Sequence, residues 1–535
     1  MERKLLASFF LPSIADILFL CILLKLLAGG MDLLRDGDTG WHIVTGENII
    51  STLKVPHSDP YSHTMPGTPW TSHEWLSEVI FAALYRLAGL NGVVLFTIFV
   101  ICATVFFLYR YMLRRGIDPL IAAPLTVMAT AASTIHWLAR PHILSLPLTL
   151  AVFVILELYQ REDKNRLALL PLITLVWVNL HGGYMMGIFL ILIYASGNLI
   201  LYLFSDADKT AHLRKLKALW LTAAGTVIAT FLNPHGPKIL YFPFSLVGRR
   251  YIMDNISEWL SPNFHYNTTF EAMLVLYMAI FVLSKKKPDI FEGMTALLLL
   301  HMSLFSARYI PLMALVVTPM AGARAAEALD NLTSAANAGG LTARLRNRLK
   351  GISDNIKTFE LRPALHLWVY AAVAFSLTLV LAGGKSSQAS VFDFRHSDKV
   401  FPVDAVDFAL RNKIQGNMYN TDSWGGYIIF KCYPRYRVFF DGRSDMYGVP
   451  MLKEYEKVAR VKLGYEDVLN KYHITWVLYN ANSPLCQTLA ASGKWKLIYA
   501  DSTADILLRD CPKNARLMRK FRKIAFVPTE GGGND

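Results

Sequence analysis

Apolar residues in this chain come in long unbroken runs rather than short alternating ones. Between Leu5 and Leu381 the runs recur at roughly 20 residues, the length that carries an α-helix across a bilayer core. Run length predicts about eleven spans: 6–28, 91–111, 119–135, 143–159, 167–180, 185–204, 218–232, 270–283, 291–305, 309–323 and 364–382. Segment 77–88 (SEVIFAALYRLA) sets Glu78 and Arg86 on an otherwise apolar helix, which predicts an interfacial helix leading into the second span. After Ser386 the pattern changes. Short apolar runs (YIIFKCY, YRVFFDG, ITWVLYN, WKLIYAD, ADILLRD) alternate with helical ones (VDAVDFALRNK, PMLKEYEKVARV, YEDVLNKY), as in an α/β domain. The expected architecture is mostly α. A polytopic transmembrane bundle covers 1–383, with a large first loop at 30–90, and an α/β domain with a basic C-terminal tail covers 384–535.

Composition agrees with a membrane protein. With 535 residues, 53% of them hydrophobic, and a mean hydropathy of +0.34, the chain is too apolar for an ordinary soluble protein. Its formal charge of +14 would fit a nucleic-acid partner. The basic residues, however, sit in short segments between apolar runs: Arg3/Lys4, Arg110/Arg114/Arg115, Arg161/Lys164/Arg166, Lys209/Arg214/Lys215/Lys217, Lys285/Lys286/Lys287 and 324–362. That is the positive-inside pattern, and it argues against nucleic acid. It places the N-terminus in the cytoplasm and the segments 30–75 and 386–535 outside, in a multi-pass protein of a bacterial-type inner membrane. The basic start resembles a signal peptide, but the apolar stretch is too long and lacks a clear cleavage site, so a retained first span is expected. Of five cysteines, Cys21 and Cys102 fall in apolar runs, and Cys486 with Cys511 is the pair a disulfide would join in an outside domain.

The chemistry concentrates in the first loop, RDGDTGWHIVTGENIISTLKVPHSDPYSHTMPGTPWTSHEW (35–75). It holds Asp36, Asp38, His42, Glu47, His57, Asp59, His63, His73 and Glu74, with aromatic and proline residues between them. A connection this long is functional or disordered, and its aromatic content argues against disorder. Asp36-Gly37-Asp38 reads equally well as a solvated turn or as a carboxylate site, acting as base on a hydroxyl or holding Mg or Mn through oxygen. His73-Glu74-Trp75 reads as an interfacial anchor; the second histidine of a zinc-protease motif is absent. Further polar clusters fall on the same side of their spans: His136 to His142, Asn179 to Gly183, Asn233 to Gly236, Glu258-Trp259 and Arg308-Tyr309. Singly, Arg140, Arg308, His142, His181 and His235 read as snorkelling surface groups. Together they point to a shared cavity that takes an anionic ligand. Asn179 and Asn233 read as caps of broken helix ends. In the C-terminal domain, Trp424-Gly425-Gly426-Tyr427 and Asp441-Gly442-Arg443-Ser444-Asp445 read as structural turns, with Arg443 or Asp445 open as acceptor ligands.

On its architecture and on the loop Asp36-Gly37-Asp38-Thr39-Gly40-Trp41-His42, the segment 5–383 resembles the GT-C superfamily of polytopic membrane glycosyltransferases, including its family-39-like and RgtA/B/C/D-like bacterial members. The resemblance implies transfer of a sugar from a polyprenyl-phosphate lipid to a glycan, lipid or protein acceptor outside the membrane. It also implies a base at Asp38 or Asp36 and phosphate ligands at Arg140 and Arg308. The substrate-binding candidates are thus Arg140, His142, Arg308, His181, His235, His42, His73 and Glu74, and the metal candidates Asp36 and Asp38. Two other classes compete: a transporter or flippase for lipid-linked saccharide, and a non-catalytic envelope assembly protein. Transport sites tend toward the bilayer midplane, whereas these polar groups crowd one face. The topology has its own test. A thiol introduced by Ser387→Cys should label from outside intact cells, and labelling only after permeabilisation would overturn the scheme.

Overall fold

The computed structural model describes residues 10–206, 208–266, 268–335, 341–360, 366–383, 392–521 and 524–527. The expected domain boundary at 383–384, the basic residues Arg3/Lys4 and the end of the tail lie outside or at the edge of the described residues. The main helices of the first part are α1 (Ile14–Ala28), α2 (Asp38–Thr52), α3 (Trp75–Arg114), α4 (Pro119–Ser133), α5 (Ser145–Glu162), α6 (Leu169–Leu180), α7 (Tyr184–Phe204), α8 (Lys209–Thr230), α9 (Lys238–Val247), α10 (Thr268–Leu283), α11 (Ile290–Phe305), α12 (Ile310–Ala335), α13 (Leu341–Glu360) and α14 (Leu367–Gly383).

Among the described residues, five helices are long and apolar enough to cross a membrane: Trp75–Arg114, Pro119–His136, Pro141–Glu162, Tyr184–Phe204 and Ala307–Leu329. The other apolar runs form shorter helices, among them α6, α10, α11 and α14. Helix length alone therefore supports five of the expected spans. The run at 167–180 becomes a 12-residue helix, about 18 Å long at the helical rise and short of the roughly 30 Å hydrocarbon thickness. It stops where His181-Gly182-Gly183 leaves helical geometry, and α8 stops before Asn233-Pro234. The helix α3 is broken at Ala88 and at Gly89, whose φ of +60° and ψ of −152° suit only glycine. The break separates the segment read as interfacial from the apolar remainder.

One end of the bundle gathers the basic loops into ion pairs. Arg161 lies 2.7 Å from Asp289 and 3.1 Å from Glu292, Arg324 pairs with Glu292, and Arg115 pairs with Glu157. The opposite end carries α2, the first loop and the C-terminal region. That region contains α15 (Val403–Asn412), β1 (Asn417–Asn420), α16 (Gly425–Cys432), α17 (Ser444–Ala459), α18 (Tyr465–Lys471), β2 (Ile474–Asn480), α19 (Pro484–Ala491), β3 (Trp495–Ala500), β4 (Ala504–Arg509) and α20 (Ala515–Lys520). Its sheet has the order β1-β2-β4-β3, with β1 parallel to β2 and the other pairs antiparallel.

Two apolar runs expected to be strands are not. YIIFKCY lies in α16, and YRVFFDG is extended outside the sheet. Short apolar runs do not distinguish a strand from a buried helix, and here the surroundings decide. The helix α16 is buried against α2 on one side and the C-terminal core on the other. Val438 pairs with the first loop instead of the sheet: its N–H donates to the Tyr61 carbonyl (3.1 Å) and its carbonyl accepts from His63 (3.0 Å). The first loop thus folds as part of the C-terminal core, which includes Trp41, Tyr61 and Trp70. All five cysteines are free thiols, so Cys486 and Cys511 are not joined.

The joint between loop and C-terminal region is held by Arg443, which is fully buried. Its Nη1 donates to Asp59 at 2.8 Å, and its Nε and Nη2 grip Asp441 at 2.8 and 2.7 Å. The guanidinium lies 4.8 Å from the Trp70 ring centre and 4.9 Å from that of Tyr61. Arg443→Met would strand Asp59 and Asp441 as buried unpaired charges, a loss of about 3–5 kcal/mol. The expected outcome is a clearly lowered thermal-unfolding midpoint of the purified full chain. An unchanged midpoint would show that the joint does not depend on this arginine.

Candidate active site

The sharp Asp36-Gly37-Asp38 turn delivers its two carboxylates to the start of α2. Asp36 Oδ1 accepts the Asp38 N–H at 2.8 Å, satisfying one of the free donors of the helix N-terminus. Thr39 Oγ1 donates to the Ala139 carbonyl at 2.9 Å, tying this turn to the next loop and bringing Arg140 opposite. Arg140 Nη1 lies 2.7 Å from Asp36 and also pairs with Glu258, while Nη2 lies 3.0 Å from Asp38. Three carboxylates therefore share one guanidinium. Burial and the neighbouring Asp36 carboxylate push the Asp38 pKa up to about 8, against the pull of Arg140. Burial also works to raise Glu258, but Arg140 and Arg308 override it and hold that carboxylate well below the usual range.

This cluster forms the polar end of a cavity of about 950 Å³. Arg35, His73, Glu74, His181 and Arg308 line it, together with Asp422 and Asp445 from the C-terminal region. A second, apolar arm is lined by Met185, Met186 and Phe189 of α7, Leu298, Met302 and Phe305 of α11, and Leu312 of α12. It runs to Phe305, which is 52% exposed. Arg308 stacks on the Trp259 ring at 4.2 Å and makes no ion pair among the described residues. Its charge is free to face the cavity.

Beside the cluster, Glu74 is ringed by imidazoles. Its oxygens lie 3.6 Å from Nε2 of His42, 3.6 Å from that of His73 and 3.5 Å from that of His181. Gly183 donates its N–H to His181 Nδ1 at 3.0 Å, so the proton of that neutral ring sits on Nε2 and faces Glu74. Trp177 Nε1 donates to Ser145 Oγ at 2.8 Å, and that hydroxyl lies 2.7 Å from the same Nδ1. Burial keeps His42 and His181 neutral.

Of the residues singled out in the sequence, Asp36, Asp38, His73, Glu74, Arg140, His181 and Arg308 line one cavity. His42, His142 and His235 do not. His42 stands behind Glu74, His142 Nε2 lies 2.9 Å from the His136 carbonyl, and His235 packs on His57 with ring centres 5.0 Å apart. Arg140 is occupied by carboxylates rather than presented to a phosphate. Its guanidinium contacts both Asp36 and Asp38, the two carboxylates named as metal candidates. Among the described residues no group of three His, Cys, Asp or Glu is arranged to hold a metal ion. Asn179 and Asn233 do tie down helix ends, donating to the carbonyls of Leu175 (2.8 Å) and Val178 (3.1 Å). Trp75 donates to Asn179 at 2.7 Å rather than anchoring the interface alone.

Sequence reasoning grouped Glu258 with the cavity clusters but did not pair it with Arg140, because nothing near it marks a partner 118 residues away. It also undervalued the two glycine motifs. A Cβ on Gly40 would meet the Gly426 carbonyl oxygen at 2.6 Å, one on Gly426 would meet the Gly37 carbonyl, and one on Gly442 would meet the Asp38 carboxylate. These glycines let the C-terminal region lie directly on the acidic turn.

Neither a protein-family model nor a curated protein matches the chain. Among solved structures, it is similar to the oligosaccharyltransferase AglB of Archaeoglobus fulgidus, solved with an inhibitory peptide and a dolichol-phosphate (TM-score 0.49, 12% identity, 88% of this chain and 70% of that one). It is also similar to ArnT of Cupriavidus metallidurans bound to undecaprenyl phosphate (TM-score 0.47, 12% identity, 93% and 98%). A third similar structure is the arabinofuranosyltransferase AftD from Mycobacteria (TM-score 0.41, 13% identity, 92% and 40%). Every one of these TM-scores is below one half, so the reaction has to be read from the residues of this chain.

Proposed function

We propose that this protein is a membrane glycosyltransferase that moves a sugar from a polyprenyl-phosphate carrier to an acceptor hydroxyl. The observation that carries the reading is the two-part cavity: an apolar arm between α7 and α11 continuous with a polar end holding Asp38 and the free Arg308. A carrier of this type needs both parts. Its isoprenoid chain is stabilised by burial among Met and Phe side chains, and its phosphate by a guanidinium that no carboxylate among the described residues contacts directly. In the orientation set by the basic loops, this end of the bundle faces away from the cytoplasm of a bacterial-type inner membrane.

The reaction then follows from the geometry. An acceptor hydroxyl oxygen attacks the anomeric carbon, forming the new glycosidic bond. Asp38 takes the hydroxyl proton, and the bond to the phosphate oxygen breaks with its electron pair leaving on the lipid phosphate, where Arg308 offsets the charge. Asp36 orients the turn and shares Arg140 with Asp38. Arg140 thus holds the base in place and restrains its proton affinity, so the phosphate role falls to Arg308.

Asn keeps the shape of Asp but cannot take up the proton. Asp38→Asn should lower turnover about 10²–10⁴-fold while undecaprenyl phosphate still binds, and unaltered transfer would remove Asp38 as base. The raised pKa fixes the sign of the pH response. Asp38 is protonated and inactive as a base below its pKa, so kcat/KM should climb as pH rises toward about 8 and level off above it. A profile already flat from pH 5 upward would contradict the assignment. Arg308→Lys keeps the charge but loses the planar fork, and undecaprenyl phosphate affinity should fall in titrations of the reconstituted protein. Equal affinity in the two proteins would place the phosphate elsewhere.

A further inference from the structure

A second cavity, of about 430 Å³, lies against the first. Trp70, Thr71, Phe242 and Asp445 line both, so the two cavities adjoin at these side chains. The remaining lining is of a different kind. The helix α9 contributes Lys238 and Tyr241, and Arg249 follows it. Lys238 is exposed and makes no ion pair among the described residues. Arg249 donates from Nη1 to the backbone carbonyl of Asp445 at 2.8 Å, which fixes its guanidinium without neutralising it. Tyr241 is 72% exposed, and the Phe242 ring packs on His73 at 4.6 Å between centres.

Two cations without an ion-pair partner among the described residues attract an anion, and the exposed Tyr241 ring, with the half-buried Phe242 ring beside it, suits the C–H faces of a pyranose ring. At the inner wall, the half-buried Asp445 carboxylate is an acceptor for sugar hydroxyls, and the same residue lines the polar end of the first cavity that holds Asp38. The apolar arm of the first cavity is absent here, so nothing in the second cavity asks for a lipid chain. We infer that the second cavity is the acceptor site, and that the acceptor is an anionic saccharide, carrying a phosphate or a carboxylate, whose hydroxyl reaches Asp38 past Asp445 and Phe242. The inference rests on the transferase reading above and names its second substrate class.

The test uses the full-length protein in lipid nanodiscs with undecaprenyl phosphate present. Glucose 6-phosphate, glucuronate, glucose and inorganic phosphate are titrated in turn, with binding followed by saturation-transfer NMR for the sugars and by competition for phosphate. Glucose 6-phosphate or glucuronate should bind about tenfold more tightly than either glucose or inorganic phosphate, one ion pair's worth of affinity. The two anionic sugars also show which charged group the site prefers. Lys238→Glu and Arg249→Glu should each cost about tenfold in that affinity, Lys238→Arg should restore it, and Tyr241→Ala should weaken the sugars but not inorganic phosphate. Undecaprenyl phosphate affinity should stay constant across the set, which also confirms that the variants fold. The inference is overturned if none of the sugars binds, if glucose matches the anionic sugars, if inorganic phosphate binds as well as they do, or if Lys238→Glu changes nothing. It is equally overturned if undecaprenyl phosphate affinity falls in step with the Lys238 substitution, since the cations would then serve the carrier. Failure of undecaprenyl phosphate to bind the wild-type protein, with the sugar pattern intact, would instead fault the donor reading.

Discussion

The structure depends on one buried cation. Arg443 is surrounded by Asp59, Asp441, Tyr61 and Trp70, so the first loop and the C-terminal region cannot separate without leaving charges unpaired in a water-poor interior. Its backbone neighbour Gly442 lies against Asp38, and Gly426 lies against Gly37. A rigid joint at Arg443 therefore fixes the roof over the acidic turn. The C-terminal region is part of the cavity wall, and its Asp422 and Asp445 are as much lining groups as Asp36 or Glu74.

The second organising fact is an imbalance of charge. Asp36, Asp38 and Glu258 converge on Arg140, and burial makes full ionisation of all three costly. The system resolves this by leaving the proton on Asp38, the carboxylate pressed against Gly442, while Glu258 stays ionised under Arg140 and Arg308. An aspartate free in water would be a weak base at neutral pH. Here its neighbours raise its proton affinity into the range where accepting a hydroxyl proton is favourable. Arg140 is what restrains the shift, because its positive charge favours the ionised carboxylate.

How much was legible beforehand follows from the range of each signal. The bundle and the first loop were readable because apolar run length and clustered chemistry are local properties. The helices of the C-terminal region were readable for the same reason: VDAVDFALRN and YEDVLNK carry helical periodicity, and each is a helix. YIIFKCY carries none, and its fold is decided by what surrounds it, which no local pattern records. Run length records no helix ends, and helices stop early at His181-Gly182-Gly183 and Asn233-Pro234. The site was half legible. Residue types named Asp36, Asp38 and Arg308, but the use of Arg140 as their counter-ion, the entry of Glu258 and the exclusion of His142 and His235 are all long-range facts.

The glycine motifs show the same limit from the other side. Trp424-Gly425-Gly426-Tyr427 and Asp441-Gly442-Arg443 read as turn chemistry, and a turn reading is correct as far as it goes. What the backbone adds is the reason side chains are missing. At Gly40, Gly426 and Gly442 a single methyl group would collide with the facing segment, so two chain segments about 400 residues apart have to meet without side chains between them. That contact sets how deep Asp38 sits, and its depth sets its proton affinity. The environment of Asp38 is therefore decided as much by atoms removed from the C-terminal region as by the sequence of the first loop.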